Sequence, residues 1–239
     1  MIVMSSVKEK ILQFASECES FGKAELYAFL NKGSNVSLNT VSCFLTQLVK
    51  DRKLSRVSRG YYALAYDTGM AFEAELGEEG KGISRVLMDR FPYASFCIYN
   101  GRSLAALQHH LSENNVTYIE CERYIMESVF DCLRSQGYVV WLNPDGNFIY
   151  NYIDLKRSSF IIKPLVTEAP TVLLDGIKVP TLEKLMVDIE KDACFQYLRG
   201  AESKRMWDNA FELYQVNRSR LYRYAKRRGL DVERKISSK

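Results

Sequence analysis

Residues 40–64, TVSCFLTQLVKDRKLSRVSRGYYAL, decide how the first part of this chain reads. Val41, Phe44, Leu45, Leu48 and Val49 recur at helical spacing, so one side of the segment is apolar. At about 100° per residue, Asn39, Cys43, Thr46 and Lys50 point the opposite way, flanked by Thr40 and Gln47. Ser37, just ahead, is a good N-cap. After the helix, two short runs rich in Val, Tyr and Leu bracket Ser58-Arg59-Gly60, which predicts a tight β-hairpin.

Upstream, SVKEKILQFASEC (6–18) places Val7, Ile11, Phe14 and Ala15 on one helix face. FGKAELYAFL (21–30) does the same with Leu26 and Phe29, and Gly33 reads as a stop. Three short helices followed by a hairpin resemble the winged helix-turn-helix family. That resemblance implies a helix seated by its apolar side, with small polar groups free to meet base edges in a major groove. Ser37, Asn39, Thr40, Ser42, Gln47 and Lys50 would be the contacts from the helix. Arg56 and Arg59 would reach phosphate or the minor groove from the hairpin. The alternatives are a module used for protein contacts alone, and a solvated helix end at Lys50, Arg52 and Lys53 favoured by the helix dipole.

Charge is unevenly spread. Residues 1–66 carry +4, residues 67–200 carry −6 and residues 201–239 carry +6, together the chain's +4. Basic ends around an acidic middle suit a protein that meets a polyanion. With 47% hydrophobic, 12% aromatic and 26% charged residues, the 239-residue chain is composed like a globular protein. Its first ten residues are too charged for a signal-peptide core, and no apolar run approaches membrane-spanning length. The six cysteines contain no CxxC pair, and His109 and His110 are the only histidines. Reduced thiols in a cytoplasmic protein are expected, not a disulfide framework or zinc site.

Residues 67–82, DTGMAFEAELGEEGKG, read as an acidic connector, with room for a short helix inside, between a 1–66 domain and an 83–239 domain. In the second, 94–100, 116–121, 138–142, 148–155 and 159–165 read as strands. Helical stretches at 102–114 and 124–136 lie between the first three. The expected class is α+β: the N-terminal module plus a larger α/β domain with a mixed sheet and a helical tail. The tail helices begin at Pro180-Thr181, at Ser203 and after Asn217. In the last of them Arg220, Arg223, Lys226 and Arg227 gather on one side. That stripe is either a solvated face or a surface for nucleic acid or an acidic partner.

VLLDGIKVPTLEKLMVDIEKD (172–192) and AFELYQVNRSRLYRYAKRRG (210–229) resemble the C-terminal region of AbiEi-type antitoxins, the winged-helix halves of abortive-infection toxin–antitoxin pairs. The resemblance implies a regulator that binds its own promoter, with a C-terminal domain countering a nucleotidyltransferase-like toxin, and neither an enzyme nor a membrane protein. In the shared helix, Lys184 and Asp188 are spaced to pair with each other.

An enzymatic alternative rests on Pro144-Asp145 followed by Asp154-Leu155-Lys156. This pattern matches a nuclease signature in which two carboxylates hold Mg²⁺ and a lysine helps activate water. It requires the acids at one sheet edge. There is no P-loop, GxGxxG or GxSxG, so no organic cofactor is expected.

Overall fold

In the computed structural model, residues 2–18, 20–32, 36–51, 53–64, 69–108 and 113–236 are described. Gly33, Arg52, His109 and His110 lie outside them. The chain divides into two units, Met1–Gly69 together with Asn217–Arg223, and Met70–Val216 together with Tyr224–Lys239.

The first unit begins with α1 (Ile2–Ser16), β1 (Phe21–Gly22), α2 (Lys23–Leu30) and α3 (Leu38–Lys50). β2 (Leu54–Ser58) and β3 (Tyr61–Leu64) follow. Val7, Ile11 and Ala15 recur every four residues on α1 and are buried, as are Leu26 and Leu30 of α2. They meet Phe21, Val41, Leu45, Leu48 and Leu54 in one core. Where the sequence reads as helix from residue 21, the first two residues are a strand. Phe21 is buried and pairs with Tyr62, and Gly22 donates its N–H to the Glu25 carboxylate at 2.8 Å, capping α2. Ser37 caps α3 as expected, its Oγ accepting from the Thr40 N–H. β2 and β3 form a hairpin with Ser58 opposite Tyr61, and Gly60 takes the left-handed conformation at φ +85°. The three strands lie in the order β1-β3-β2, all antiparallel.

The second unit is built on a six-stranded mixed sheet. Its elements run α4 (Gly77–Arg90), β4 (Cys97–Asn100), β5 (Val116–Cys121), α5 (Met126–Ser135), β6 (Val140–Leu142) and α6 (Gly146–Tyr152). β7 (Ser159–Pro164), β8 (Thr171–Leu174), β9 (Ile177–Pro180) and α7 (Leu182–Lys191) come next. α8 (Ala201–Leu213), α9 (Arg218–Arg227) and α10 (Val232–Ile236) form the chain's helical tail, in which the first half of α9, up to Arg223, belongs to the first unit. Short 3-10 segments occupy 101–107, 123–125 and 193–198. The strand order is β6-β7-β5-β4-β9-β8. β4 is antiparallel to β5 and β8 to β9, and the other neighbours are parallel.

Alternation along β5 separates two faces. Ile119 and Cys121 join an apolar core with Ile83 and Leu87 of α4 and Val129 and Leu133 of α5. Tyr118 and Glu120 point the other way, toward α7 and the 193–198 segment. α7 is buried on every side from Leu182 to Asp188 and on to Ile189, charged residues included.

Other expectations are corrected too. The stretch 148–155 is not a strand. Asp145 accepts the Phe148 N–H at 2.8 Å and starts α6, so a capping bond overrides the β-preference of Phe-Ile-Tyr. Within the described part of the expected connector, Ala74 and Leu76 are buried, Glu75 bonds Asn100 and Ser103 through its backbone, and the helix that begins at Gly77 runs on to Arg90. Residues 171–180, for which the sequence reading assigned no element, form a β-hairpin turning at Asp175-Gly176, where φ is +51° and +82°. Of the 102–114 stretch, only 101–107 is helical, as 3-10 turns, and 109–112 lie outside the described residues.

Candidate functional site

α3 is divided lengthwise. Val41, Phe44, Leu45 and Leu48 are buried beneath it, while Ser37, Asn39, Gln47 and Lys50 are exposed and Thr40 and Ser42 half-buried. Their hydrogen bonds sort these residues further. Ser37 and Thr40 bond one another at 2.8 Å, and Ser42 donates back to the Leu38 carbonyl at 2.7 Å. Those hydroxyls serve the helix itself first. Among the described residues, the side-chain amides of Asn39 and Gln47 make no bond. Each amide offers a donor and an acceptor to whatever meets this face, the pattern that pairs bidentately with an adenine edge.

Arg56 on β2 and Arg59 in the hairpin turn are both exposed, and neither has an acidic partner among the described residues. The cations are delivered by the local fold: the two-residue turn with Gly60 in the left-handed region leaves Arg59 at its tip.

The basic side of α9 is less uniform than its sequence. The Asn217 Oδ1 accepts the Arg220 N–H at 3.0 Å, capping the helix as expected. Arg223 and Lys226 are exposed, Arg220 is half-buried, and Arg227 pairs with Glu168 at 3.2 Å.

The structure does not bring the nuclease pattern together. Asp145 stands at the N-terminal end of α6 and Asp154 past its C-terminal end, with the whole helix between them. Asp145 is occupied as the α6 cap. Asp154 accepts the Lys156 N–H and pairs with Arg157 at 3.4 Å, in a loop and not on a strand. Neither belongs to a group of three or more His, Cys, Asp or Glu side chains able to hold a metal among the described residues.

The most concentrated chemistry in the molecule is a buried ionic network between the sheet and α7, of which sequence reasoning found the Lys184–Asp188 pair and missed the partners from the sheet and the last helices. Lys184 Nζ lies 2.6 Å from Glu120 Oε1 and 2.6 Å from Asp188 Oδ2. Lys163 Nζ bonds Asp192 at 2.6 Å and Glu120 at 3.2 Å. Arg228 Nη1 and the Tyr224 hydroxyl both donate to Asp188 Oδ1 at 2.9 Å. Tyr99 donates to Glu120 Oε1 at 3.3 Å. Three carboxylates and three cations balance.

Burial disfavours every charge here, and pairing reverses it. Burial pushes the Glu120 carboxyl up, but Lys184 and Lys163 outweigh this and hold it below the usual range. Burial pulls Lys163 down, yet Asp192 and Glu120 keep it well above the ordinary lysine value. Lys184 is raised in the same way by Asp188 and Glu120. Only Glu120 Oε2 lacks a partner in the network. Glu120, Lys163, Lys184 and Asp188 are no more than 3% exposed, so the centre of the network lies in the interior between the sheet and α7.

Residues 40–238 match the family of unknown function DUF6577. The chain belongs to that family. The match opens inside α3 at Thr40 and takes in Gln47, Lys50, Arg56, Arg59 and the entire ionic network. Ser37 and Asn39 precede it. No curated protein matches this DUF6577 chain. No helix among its described residues is long and apolar enough to cross a membrane. Its six cysteines are free thiols, four of them buried.

Proposed function

We propose that this DUF6577 chain is a cytoplasmic DNA-binding regulator whose first unit is a winged helix that seats α3 in the major groove. The observation that carries the reading is the division of α3: a buried apolar side beneath an exposed side whose Asn39 and Gln47 amides have no internal partner among the described residues. The element order α1-β1-α2-α3-β2-β3 supports it, because a helix followed by an Arg-bearing hairpin can touch groove and backbone together. Lys50, Arg56 and Arg59 would supply phosphate contacts, and Asn39 and Gln47 base-edge contacts. The second unit would then give that binding its purpose. The likeness of 172–192 and 210–229 to AbiEi-type antitoxins supports a role in countering a nucleotidyltransferase-like toxin made from the same operon.

The test is titration of the full chain against the DNA upstream of its own gene over a range of salt concentrations. The reading expects saturable binding whose logarithm falls linearly with the logarithm of salt. Salt-independent binding, or none, ends it. Co-expression with the protein encoded immediately downstream tests the antitoxin role separately: relief of growth arrest supports it, and unrelieved arrest removes it while leaving the DNA reading intact.

A further inference from the structure

The six-stranded sheet ends at β6, and among the described residues no strand pairs with its outer edge. The Val139 carbonyl accepts from Phe160 N–H, and the Asn143 N–H donates to the Ile162 carbonyl. With Val140 opposite Phe160 and Leu142 opposite Ile162, alternation turns Val139, Trp141 and Asn143 toward β7. The N–H and C=O groups of Val140 and Leu142 therefore face outward, spaced to receive an extended chain.

This edge borders a cleft of about 400 Å³ walled by Phe130, Tyr138, Val140 and Trp141. Val139 is 56% exposed and Leu142 37% beside it. Arg134 of α5 lines the same cleft with its guanidinium over the Phe130 ring, 5.7 Å from the centroid. No acidic side chain among the described residues pairs with Arg134. Trp141, whose ring packs edge-on against Phe148, adds its apolar surface to the lining.

An open strand edge, apolar walls and an uncompensated cation define one kind of occupant. We propose that the β6 edge docks an extended segment of a partner protein, alternating in apolar residues and carrying a carboxylate that reaches Arg134. The main chain supplies affinity by adding a strand, and the side-chain cleft and Arg134 supply selection. β6 is short, three residues with neither lysine nor proline, so the edge offers the outward groups of Val140 and Leu142 to a correspondingly short segment. The proposal does not rest on the DNA reading, and either can fail alone.

The probes are two synthetic hexapeptides of alternating threonine and valine, identical but for one glutamate or one lysine, added to the full chain. Amide hydrogen exchange is followed at Val140 and Leu142. The glutamate peptide is expected to slow exchange at both amides saturably, and to bind about 1.4- to 5-fold more tightly than the lysine peptide, the span of an exposed ion pair. Arg134→Gln should erase that difference. Val140→Pro removes an outward N–H without touching the β7 ladder and should abolish binding. Leu142→Lys tests the same edge should the proline variant fail to fold. Unchanged exchange at saturating peptide overturns the proposal. So does concentration-dependent protection of both amides without peptide, which would show that a second copy of the chain occupies the edge.

Discussion

Lys184 Nζ sits 2.6 Å from Glu120 on the central strand β5 and 2.6 Å from Asp188 one turn along α7, so one ammonium group fastens helix to sheet. Replacing it with a neutral side chain of similar length leaves two carboxylates buried and under-compensated. Lys184→Met is expected to lower stability by about 3–5 kcal/mol, read from chemical denaturation. Arg227→Ala, which breaks the exposed pair with Glu168, should cost under about 1 kcal/mol. Equal losses from the two would contradict a network that holds the second unit together.

The same network sets a pH profile. Glu120 and Asp192 are held below their ordinary values of 4.5 and 3.8, so their contribution is complete above those values and is lost as pH falls below them. Lys163 and Lys184 are held above 10.5, so theirs is complete below that pH and fades as pH rises beyond it. Thermal midpoints should form a plateau between those limits and fall on both sides. In Lys184→Met the acid-side fall should be shallower, because the pairing that depresses Glu120 is weakened.

Base-reading and phosphate-binding residues are separable on α3 and the hairpin. Gln47→Ala should weaken binding to the preferred DNA by about 1–3 kcal/mol while sparing unrelated DNA. Arg56→Ala or Arg59→Ala should weaken both and reduce the salt slope by about one. Competition titrations at several salt concentrations distinguish these outcomes. A Gln47 variant that loses both DNAs equally would mean that α3 contacts only backbone.

Asp154→Ala is expected to leave DNA retention unchanged, since its carboxylate serves only Lys156 N–H and Arg157. Asp145→Ala should cost about 0.5–2 kcal/mol through the lost α6 cap. Magnesium-dependent cleavage of DNA by the parent chain, abolished in either variant, would reinstate the nuclease pattern.

Gly101 faces Asn114 so closely that an added Cβ would fall 2.2 Å from the amide. Asn114 cannot swing aside cheaply, because it donates to the Tyr118 and Tyr197 hydroxyls and accepts from Val116 N–H. Gly101→Ala should therefore destabilise by at least the roughly 1–3 kcal/mol of an overpacked site, measurable as a lowered denaturation midpoint. A midpoint unchanged from the parent would show that the Asn114 bonds yield easily.

What the sequence made legible follows from which forces act locally. α3, its Ser37 cap and the Arg59-Gly60 hairpin were readable because periodicity, capping and turn chemistry agree within thirty residues. β5 and β7 were readable as apolar runs, though the Glu120 and Lys163 inside them gave no warning of a network that joins residues far apart in the chain. α6 was misread because Phe148, Ile149, Tyr150 and Tyr152 favour strands while a single Asp145 bond decided otherwise. The length of α4 was masked by three glycines, Gly77, Gly80 and Gly82, although Ile83, Leu87 and the buried Leu76 before them carry an apolar side. The β8–β9 hairpin had a readable signal in Asp175-Gly176 that pattern-matching on the longer stretch obscured.

Asp188 receives Tyr224 and Arg228 from the end of the chain. Shortening the protein ahead of Tyr224 would thus do more than trim a basic tail. It would strip an enclosed anion of two of its donors, so deletions meant to probe the arginine-rich helix would report on folding unless both contacts were kept.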